Sequence, residues 1–264
     1  MAKIETRAAV ENLDSIIEAS GAVMVARGDL GSEFPIEELP HLQKEIIRRC
    51  ITLGRPVITA TQMLESMVQA PSPTRAEASD VANAVFDGSS TLMLSGETAI
   101  GVDPIHVVGM MSRIAARADE EFDYPGWSQG LAELHLDPTD VVEDSITDAM
   151  TSAAHRAANG VGAKAIICLS RSGFTVRSIA RFRPQAKILG FSTDPRTVNQ
   201  LSMSWGTKPY HLEGGLLTEE LVPEAIDHAL AAGEVHSGDV VVVLAGSGIH
   251  KGRVTDTVRI VRIP

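Results

Sequence analysis

Gly21 to Gly31 reads GAVMVARGDLG, and the reading of this stretch decides the fold. Ala22 to Ala26 is a short apolar run rich in β-formers, the pattern of a strand buried on both faces. It stops at Arg27-Gly28-Asp29: a cation, a flexible joint and a carboxylate at the strand's C-terminal end. In parallel α/β folds that end is where ligands are met. A carboxylate there can equally close a turn, and the stretch alone does not choose between the two. Pro35-Ile36-Glu37-Glu38 then predicts the start of a helix, with proline in the first turn and acids at the positive end of the dipole.

Working outward, the same alternation recurs. Ala2-Lys3-Ile4-Glu5 is a short strand, and apolar residues at Ala8, Ala9, Leu13, Ile16 and Ile17 give Arg7 to Ser20 a helical face. Beyond the central stretch come a helix over about Glu37–Leu53, stopped by Gly54, and a strand Val57–Thr61. Next are a surface loop at Pro71 and Pro73, a helix over Ser79–Phe86, a strand Thr91–Ser95 and a helix over Pro104–Asp119. Four βα units with short loops predict a parallel sheet with right-handed crossovers, half of the eight units of a TIM-type barrel. Glu120 to Thr139 loses the pattern and reads as a linker. From Asp140 a helix leads into further alternating strands and helices. Asp239–Leu244 is the most apolar strand, and an alternating C-terminal strand, Val254–Ile263, pairs antiparallel to it at the edge. The expected domains are therefore 1–123 and 138–264, both α/β, the second a three-layer unit.

The 264 residues suffice for one large or two ordinary domains. A net charge of −11 argues against nucleic acid or an anionic membrane as the main partner. Cys50 and Cys168 are too few for a disulfide framework or a cysteine zinc site and read as buried free thiols. No basic-apolar leader and no membrane-length apolar run are present, so the expected compartment is the cytoplasm. The eight histidines lack ligand spacing and read as surface or satisfied core residues.

Lys3 and Glu5 alternate with their neighbours and share a face. Glu5, Asp29, Thr61 and Glu97 each close a successive strand, so a barrel would bring all four to one rim. Two carboxylates offer the hard oxygens that Mg²⁺ takes, and a lysine beside them suits charge moving between phosphoryl oxygens. Singly, each residue reads first as a strand-end cap or ion pair; in register they point to a site.

The segments KIE (Lys3–Glu5), MVARGDLG (Met24–Gly31), ATQMLESM (Ala60–Met67), PTRAEASDVANAV (Pro73–Val85) and MLSGETA (Met93–Ala99) together resemble the pyruvate kinase family. SRSGFTVRSIARFRP and the terminal hairpin resemble that family's C-terminal domain. The resemblance implies phosphoryl transfer from phosphoenolpyruvate to ADP, giving pyruvate and ATP. It implies Glu5 and Asp29 as ligands of Mg²⁺, with Mn²⁺ as the alternative. Lys3 would steady the phosphoryl group. Gly28, Asp29 and Thr61 would hold the substrate carboxylate, with Thr61 near the face where the enolate is protonated. Arg75 would reach across the interface of a homotetramer. Ser170, Ser172, Gly173 and Thr175 would form an effector phosphate loop, with Gly246-Ser247-Gly248 and His250-Lys251 as its facing wall. The family's first four barrel strands, lid domain and K⁺ ligands have no counterpart in these residues, so the expectation is a chain that closes no barrel by itself. Two functional expectations follow: a pyruvate kinase part that is inactive alone, or a non-catalytic module that binds a phosphorylated metabolite.

Overall fold

The computed structural model describes residues 1–134, 142–213, 218–246 and 254–264. The chain divides into two compact units, Met1–Asp123 and Tyr124–Pro264.

The first unit runs β1 (Ala2–Ile4), α1 (Arg7–Glu11), α2 (Leu13–Glu18), β2 (Val23–Ala26), α3 (Arg27–Glu33), α4 (Leu39–Thr52) and β3 (Val57–Ala60), then α5 (Arg75–Phe86), β4 (Thr91–Leu92), α6 (Gly96–Ala99) and α7 (Pro104–Glu120). The four strands form a parallel sheet in sequential order, with Lys3 opposite Met24 and Ala26 opposite Ala60. That sequential parallel order is the one from which a (β/α)₈ barrel is built, and it brings the C-terminal ends of β1, β2 and β3 to one edge. β2 and β3 are buried along their whole length, which is why they read as unbroken apolar runs. Met63, Leu64, Met67, Val81, Ala84, Val107 and Met111 pack together as the core of α5 and α7.

The sequence misplaces several boundaries. Arg7–Ser20 is two helices, because Asn12 leaves helical geometry at φ −113° and ψ 25°. Arg27-Gly28-Asp29 opens the short helix α3 rather than a loop, and a 3₁₀ turn at Ile36–Glu38 precedes α4. α5 begins at Arg75, not Ser79. Thr74 caps it through a capping box in which the Thr74 hydroxyl accepts from Glu77 N–H and the Glu77 carboxylate accepts from Thr74 N–H. The signal, Thr-x-x-Glu, is present in the sequence. The fourth strand is two residues long.

The second unit runs α8 (Tyr124–Leu134), α9 (Val142–Val161), β5 (Ala165–Leu169), α10 (Phe174–Ala180), β6 (Lys187–Ser192), α11 (Pro195–Leu201), β7 (Thr207–His211), α12 (Thr218–Ala231), β8 (Val240–Ala245) and β9 (Thr257–Arg262). Its sheet has the order β7-β6-β5-β8-β9, parallel except for the antiparallel β8–β9 pair. Pro209 is tolerated because β7 is an edge strand. The linker expected over 120–139 is corrected by α8. Pro125 lies in its first turn, where a missing N–H costs nothing. Trp127 then fastens the helix by donating its indole N–H to the Arg181 carbonyl at 2.7 Å. Position 138 lies outside the described residues.

Both thiols are buried and free. Burial pushes Cys50 up to about 12 and Cys168 higher still, so neither is a thiolate at neutral pH. No helix among the described residues is long and apolar enough to cross a membrane.

Candidate active site

Glu5, Asp29 and Thr61 each follow the last residue of β1, β2 and β3, or stand within three residues of it, so parallel pairing delivers them to one edge. The Lys3 ammonium joins two of them. It donates to Asp29 Oδ2 at 2.6 Å and to Glu5 Oε2. The side chains of Lys3, Glu5 and Asp29 are 46, 40 and 53% exposed, open to a solute from the rim. Hydrogen bonding to the two carboxylates raises the Lys3 ammonium above its ordinary range, and the ammonium in turn lowers Asp29. At neutral pH Lys3 is therefore held as an ammonium beside an ionised Asp29.

Thr61 stands beside them. Its hydroxyl accepts the Gly28 N–H at 2.9 Å and donates to the Ala60 carbonyl at 2.6 Å. Thr61 and Gln62 have φ of +66° and +53°. For a β-branched residue such as Thr61 the left-handed region is an outlier, costing about 1–3 kcal/mol, and it persists only where the surroundings over-determine it.

Arg27 over-determines it, a role the sequence reading does not assign. Its side chain is 12% exposed. Nε donates to the carbonyls of Ala60 and Thr61 at 3.3 and 3.2 Å, and Nη2 to those of Thr61 and Gln62 at 2.6 and 3.1 Å. Nη1 is anchored by Asp80 at 2.6 Å and Gln43 at 3.3 Å. The planar fork of donors suits a turn whose carbonyls converge.

Glu97 does not join the rim. It is fully buried, and its carboxylate accepts Leu64 N–H at 3.0 Å and Ser95 N–H at 2.8 Å, tying two loops together. The expectation that four strand ends converge holds for three of them. Glu97 lies in α6, which three intervening residues separate from the two-residue strand, and its carboxylate is drawn inward by the two loop N–H groups it satisfies.

A divalent cation fits this donor set. Glu5 and Asp29 offer hard oxygens, and the one Lys3 ammonium now bonds to both. Among the described residues no group of three or more His, Cys, Asp or Glu forms a metal cage. A cation at Glu5 and Asp29 would therefore complete its shell with water and substrate oxygens, as Mg²⁺ commonly does.

In the second unit Ser170 follows β5, and Gly173, at φ +75°, precedes α10. A Cβ at Gly173 would lie 2.7 Å from the guanidinium at the end of the flexible Arg177 side chain and 3.0 Å from Leu201, and the positive φ makes the position one for glycine. The Ser172 carbonyl accepts from Arg177 at 3.1 Å. Thr175 is buried with its hydroxyl against that of Thr255 at 2.7 Å, so it faces the fold rather than a solute. Ser247, Gly248, His250 and Lys251 lie outside the described residues. Arg75 is exposed at the start of α5.

Taken together, the geometry defines a βα-repeat unit with an oxygen-donor site at its strand ends, followed by a five-stranded α/β unit. Residues 1–108 match the family model of the pyruvate kinase barrel domain, and residues 148–261 that of the pyruvate kinase alpha/beta domain. A pyruvate kinase of Clostridium acetobutylicum is 44% identical over 92% of this chain and 50% of its own length. One from Staphylococcus epidermidis is 43% identical over 92% of this chain and 40% of its own. The crystal structure of a pyruvate kinase from Cryptosporidium parvum superposes with a TM-score of 0.88 at 39% identity, covering 99% of this chain and 51% of that one. The chain belongs to the pyruvate kinase family, and it spans about half the length of the curated relatives it matches.

Proposed function

We propose that this chain supplies the half of a pyruvate kinase active site that carries the metal and substrate carboxylate, in the transfer of a phosphoryl group from phosphoenolpyruvate to ADP. The observation that carries the reading is the Lys3 ammonium shared by Glu5 and Asp29 beside Thr61. Glu5 and Asp29 would hold Mg²⁺ or Mn²⁺, which when bound supplies positive charge to the enolate and phosphoryl oxygens. Lys3, released from the carboxylates by that cation, would place a point charge beside the phosphoryl group in flight. The substrate carboxylate would take the N–H groups of Gly28 and Asp29 and the Thr61 hydroxyl. Gly28 N–H is engaged by Thr61 Oγ1, whose own hydrogen goes to the Ala60 carbonyl, so carboxylate binding entails a rotation of that hydroxyl that frees Gly28 N–H and moves its donated hydrogen from Ala60 to the substrate. The same hydroxyl would stand at the face where the enolate of pyruvate is protonated.

In the second unit, Ser170, Ser172 and Gly173 would frame the phosphate of an effector, with Thr175 fixing the start of α10 from within. Arg75 would serve an interface between subunits of a cytoplasmic homo-oligomer. The exposed apolar side chains Ile100, Val102, Ile105 and Val108, around the start of α7, leave surface for such a partner. A four-stranded parallel sheet with β1 and β4 as outer strands leaves backbone groups unpaired on two edges. We therefore expect little turnover from these 264 residues alone.

The experiment is a coupled assay of phosphoenolpyruvate-dependent ATP formation by the purified chain. It is run alone and mixed with a polypeptide carrying the other barrel half of the Clostridium relative. Activity in the mixture that is lost in Lys3→Met supports the reading. A mixture that binds Mn²⁺ and phosphoenolpyruvate without turnover overturns it in favour of a binding module.

A further inference from the structure

A cavity of about 600 Å³ lies wholly within the second unit, between the start of α8, α9 and the turn after α10. That is the size range of small-molecule sites. Tyr124 and Phe182 give it an apolar wall, Ser128 and Ser152 add hydroxyls, and Arg156 and Arg183 bring two positive charges. Among the described residues no carboxylate lines it, in a chain whose net charge is −11.

Two of its residues are held under stress. Arg183 is 2% exposed at φ +48°, in the left-handed region, with its guanidinium 5.2 Å from the ring centroids of both Trp127 and Trp205. A buried guanidinium between two indoles is fixed in place. His155, also in the wall, corrects the expectation that every histidine is exposed or satisfied. It is 7% exposed and stacked on Phe182 at 5.7 Å. The Asn159 amide nitrogen donates to its Nε2 at 3.1 Å, while the buried Nδ1 has no hydrogen-bond partner among the described residues. Burial, then the nearby Arg156, lowers the imidazole's affinity for a second proton, so the neutral ring carries its one hydrogen on Nδ1. A buried donor without an acceptor calls for an explanation, and a ligand acceptor is one.

We propose that this cavity binds a small organic oxyanion with a ring-sized apolar body. Arg156, exposed in the wall, takes the oxyanion, the buried Arg183 adds positive charge behind the wall, Tyr124 and Phe182 cover the body, and His155 Nδ1–H gives the orienting hydrogen bond. Guanidinium groups take carboxylate and phosphate alike. The site shares no residue with the strand-end cluster or with the Ser170–Thr175 loop, so it stands independently of the catalytic reading.

The test uses the full chain with phenyl phosphate and benzoate as anionic probes and phenol as the neutral control. Binding is followed by calorimetry and by the ¹⁵N shifts of the His155 ring. The expected result is saturable binding of at least one anion, with a shift at His155 Nδ1 and no binding of phenol. The two anions between them tell whether the head group is phosphate or carboxylate. Arg156→Glu, at an exposed position, and His155→Phe should each weaken binding by about tenfold or more, the value of a charge-assisted hydrogen bond. The proposal is overturned if neither anion binds or if phenol binds as well. It falls equally if both variants bind like the parent, or if the shifts map to Ser170–Thr175 instead.

Discussion

Arg27 donates twice to a single carbonyl, that of Thr61: Nε at 3.2 Å and Nη2 at 2.6 Å. The two residues belong to consecutive strand ends, so the guanidinium of one fixes the backbone that aims the hydroxyl of the other. With Gln62 also at positive φ, the turn is held by the acceptors it presents to Arg27 rather than by its own preference.

Replacing Arg27 with Met removes this donor from the Thr61 and Gln62 carbonyls and from Asp80 inside a well-packed region, and leaves the Ala60 carbonyl with the Thr61 hydroxyl. The expected loss is about 2–3 kcal/mol, read as a lower urea midpoint, since Asp80 is partly exposed and recovers some solvation. Carboxylate recognition should fall further than metal binding. In a chain that still folds, oxalate affinity drops while Mn²⁺ affinity stays near that of the parent, because Glu5 and Asp29 do not rest on Arg27. Equal losses for both ligands would mean a general loosening and no specific hold on Thr61.

Lys3 occupies the oxygens a divalent cation would need. Its ammonium is held above its ordinary range by Asp29 and Glu5, so near neutral pH it does not leave by losing its proton. A cation must displace it. Lys3→Met should therefore tighten Mn²⁺ binding by about three- to tenfold, the worth of one screened charge, while abolishing phosphoryl transfer in the complemented assay. Mn²⁺ titration followed by electron paramagnetic resonance reads the affinity, and weaker binding in the variant would show that Lys3 organises the carboxylates instead of competing for them.

Three residues of the candidate site were legible because parallel strands impose a rule: residues just past successive C-terminal ends share an edge. Lys3 and Glu5 on one face of β1 and Asp29 after β2 follow from that rule alone. Arg27 was not legible as more than a charge, since its partners are backbone carbonyls, which every sequence contains everywhere. Glu97 obeyed the strand-end rule in sequence and broke it in space, because its carboxylate serves the backbone N–H groups of Leu64 and Ser95, partners that no side-chain pattern announces. α8 was hidden by Pro125 and Gly126, two breakers overruled by the packing of Trp127 and Leu131. His155 carried no motif, and its unpartnered nitrogen is a property of tertiary burial. Thr-x-x-Glu before α5, by contrast, was a readable helix start that periodicity alone placed four residues late.

Glu97 makes the opposite prediction to Asp29. Its carboxylate serves the N–H groups of Leu64 and Ser95 from a fully buried position. Glu97→Ala orphans both donors and should cost about 2–4 kcal/mol, with chemical denaturation as the measurement. Metal affinity in the surviving folded fraction should match the parent. A Mn²⁺ affinity that fell as far as in Asp29→Asn would place Glu97 at the metal after all.

The acid limb of stability in the second unit rests on Glu234. This carboxylate is 5% exposed and accepts from Lys208, from Lys187 at 3.1 Å and from the Tyr210 hydroxyl at 3.0 Å, clamping the ends of β6 and β7. The hydrogen bonds from Lys208 and Lys187 lower it to about 2 from an ordinary 4.5. A depressed carboxylate stabilises the fold above its unfolded value and loses that contribution as pH falls through the folded one. The window is therefore between about pH 4.5 and pH 2. Both lysines are more than half exposed, so water and salt screen the pairs, and the contribution at pH 7 is about 1–2 kcal/mol. Glu234→Gln should cost that amount at neutral pH, with the gap to the parent closing as the pH is lowered through the window and absent near pH 2. Urea unfolding at a series of pH values, followed by the fluorescence of Trp127 and Trp205, measures it. A gap that stays constant from pH 7 to pH 2 would assign the cost to lost packing and remove Glu234 from the acid response.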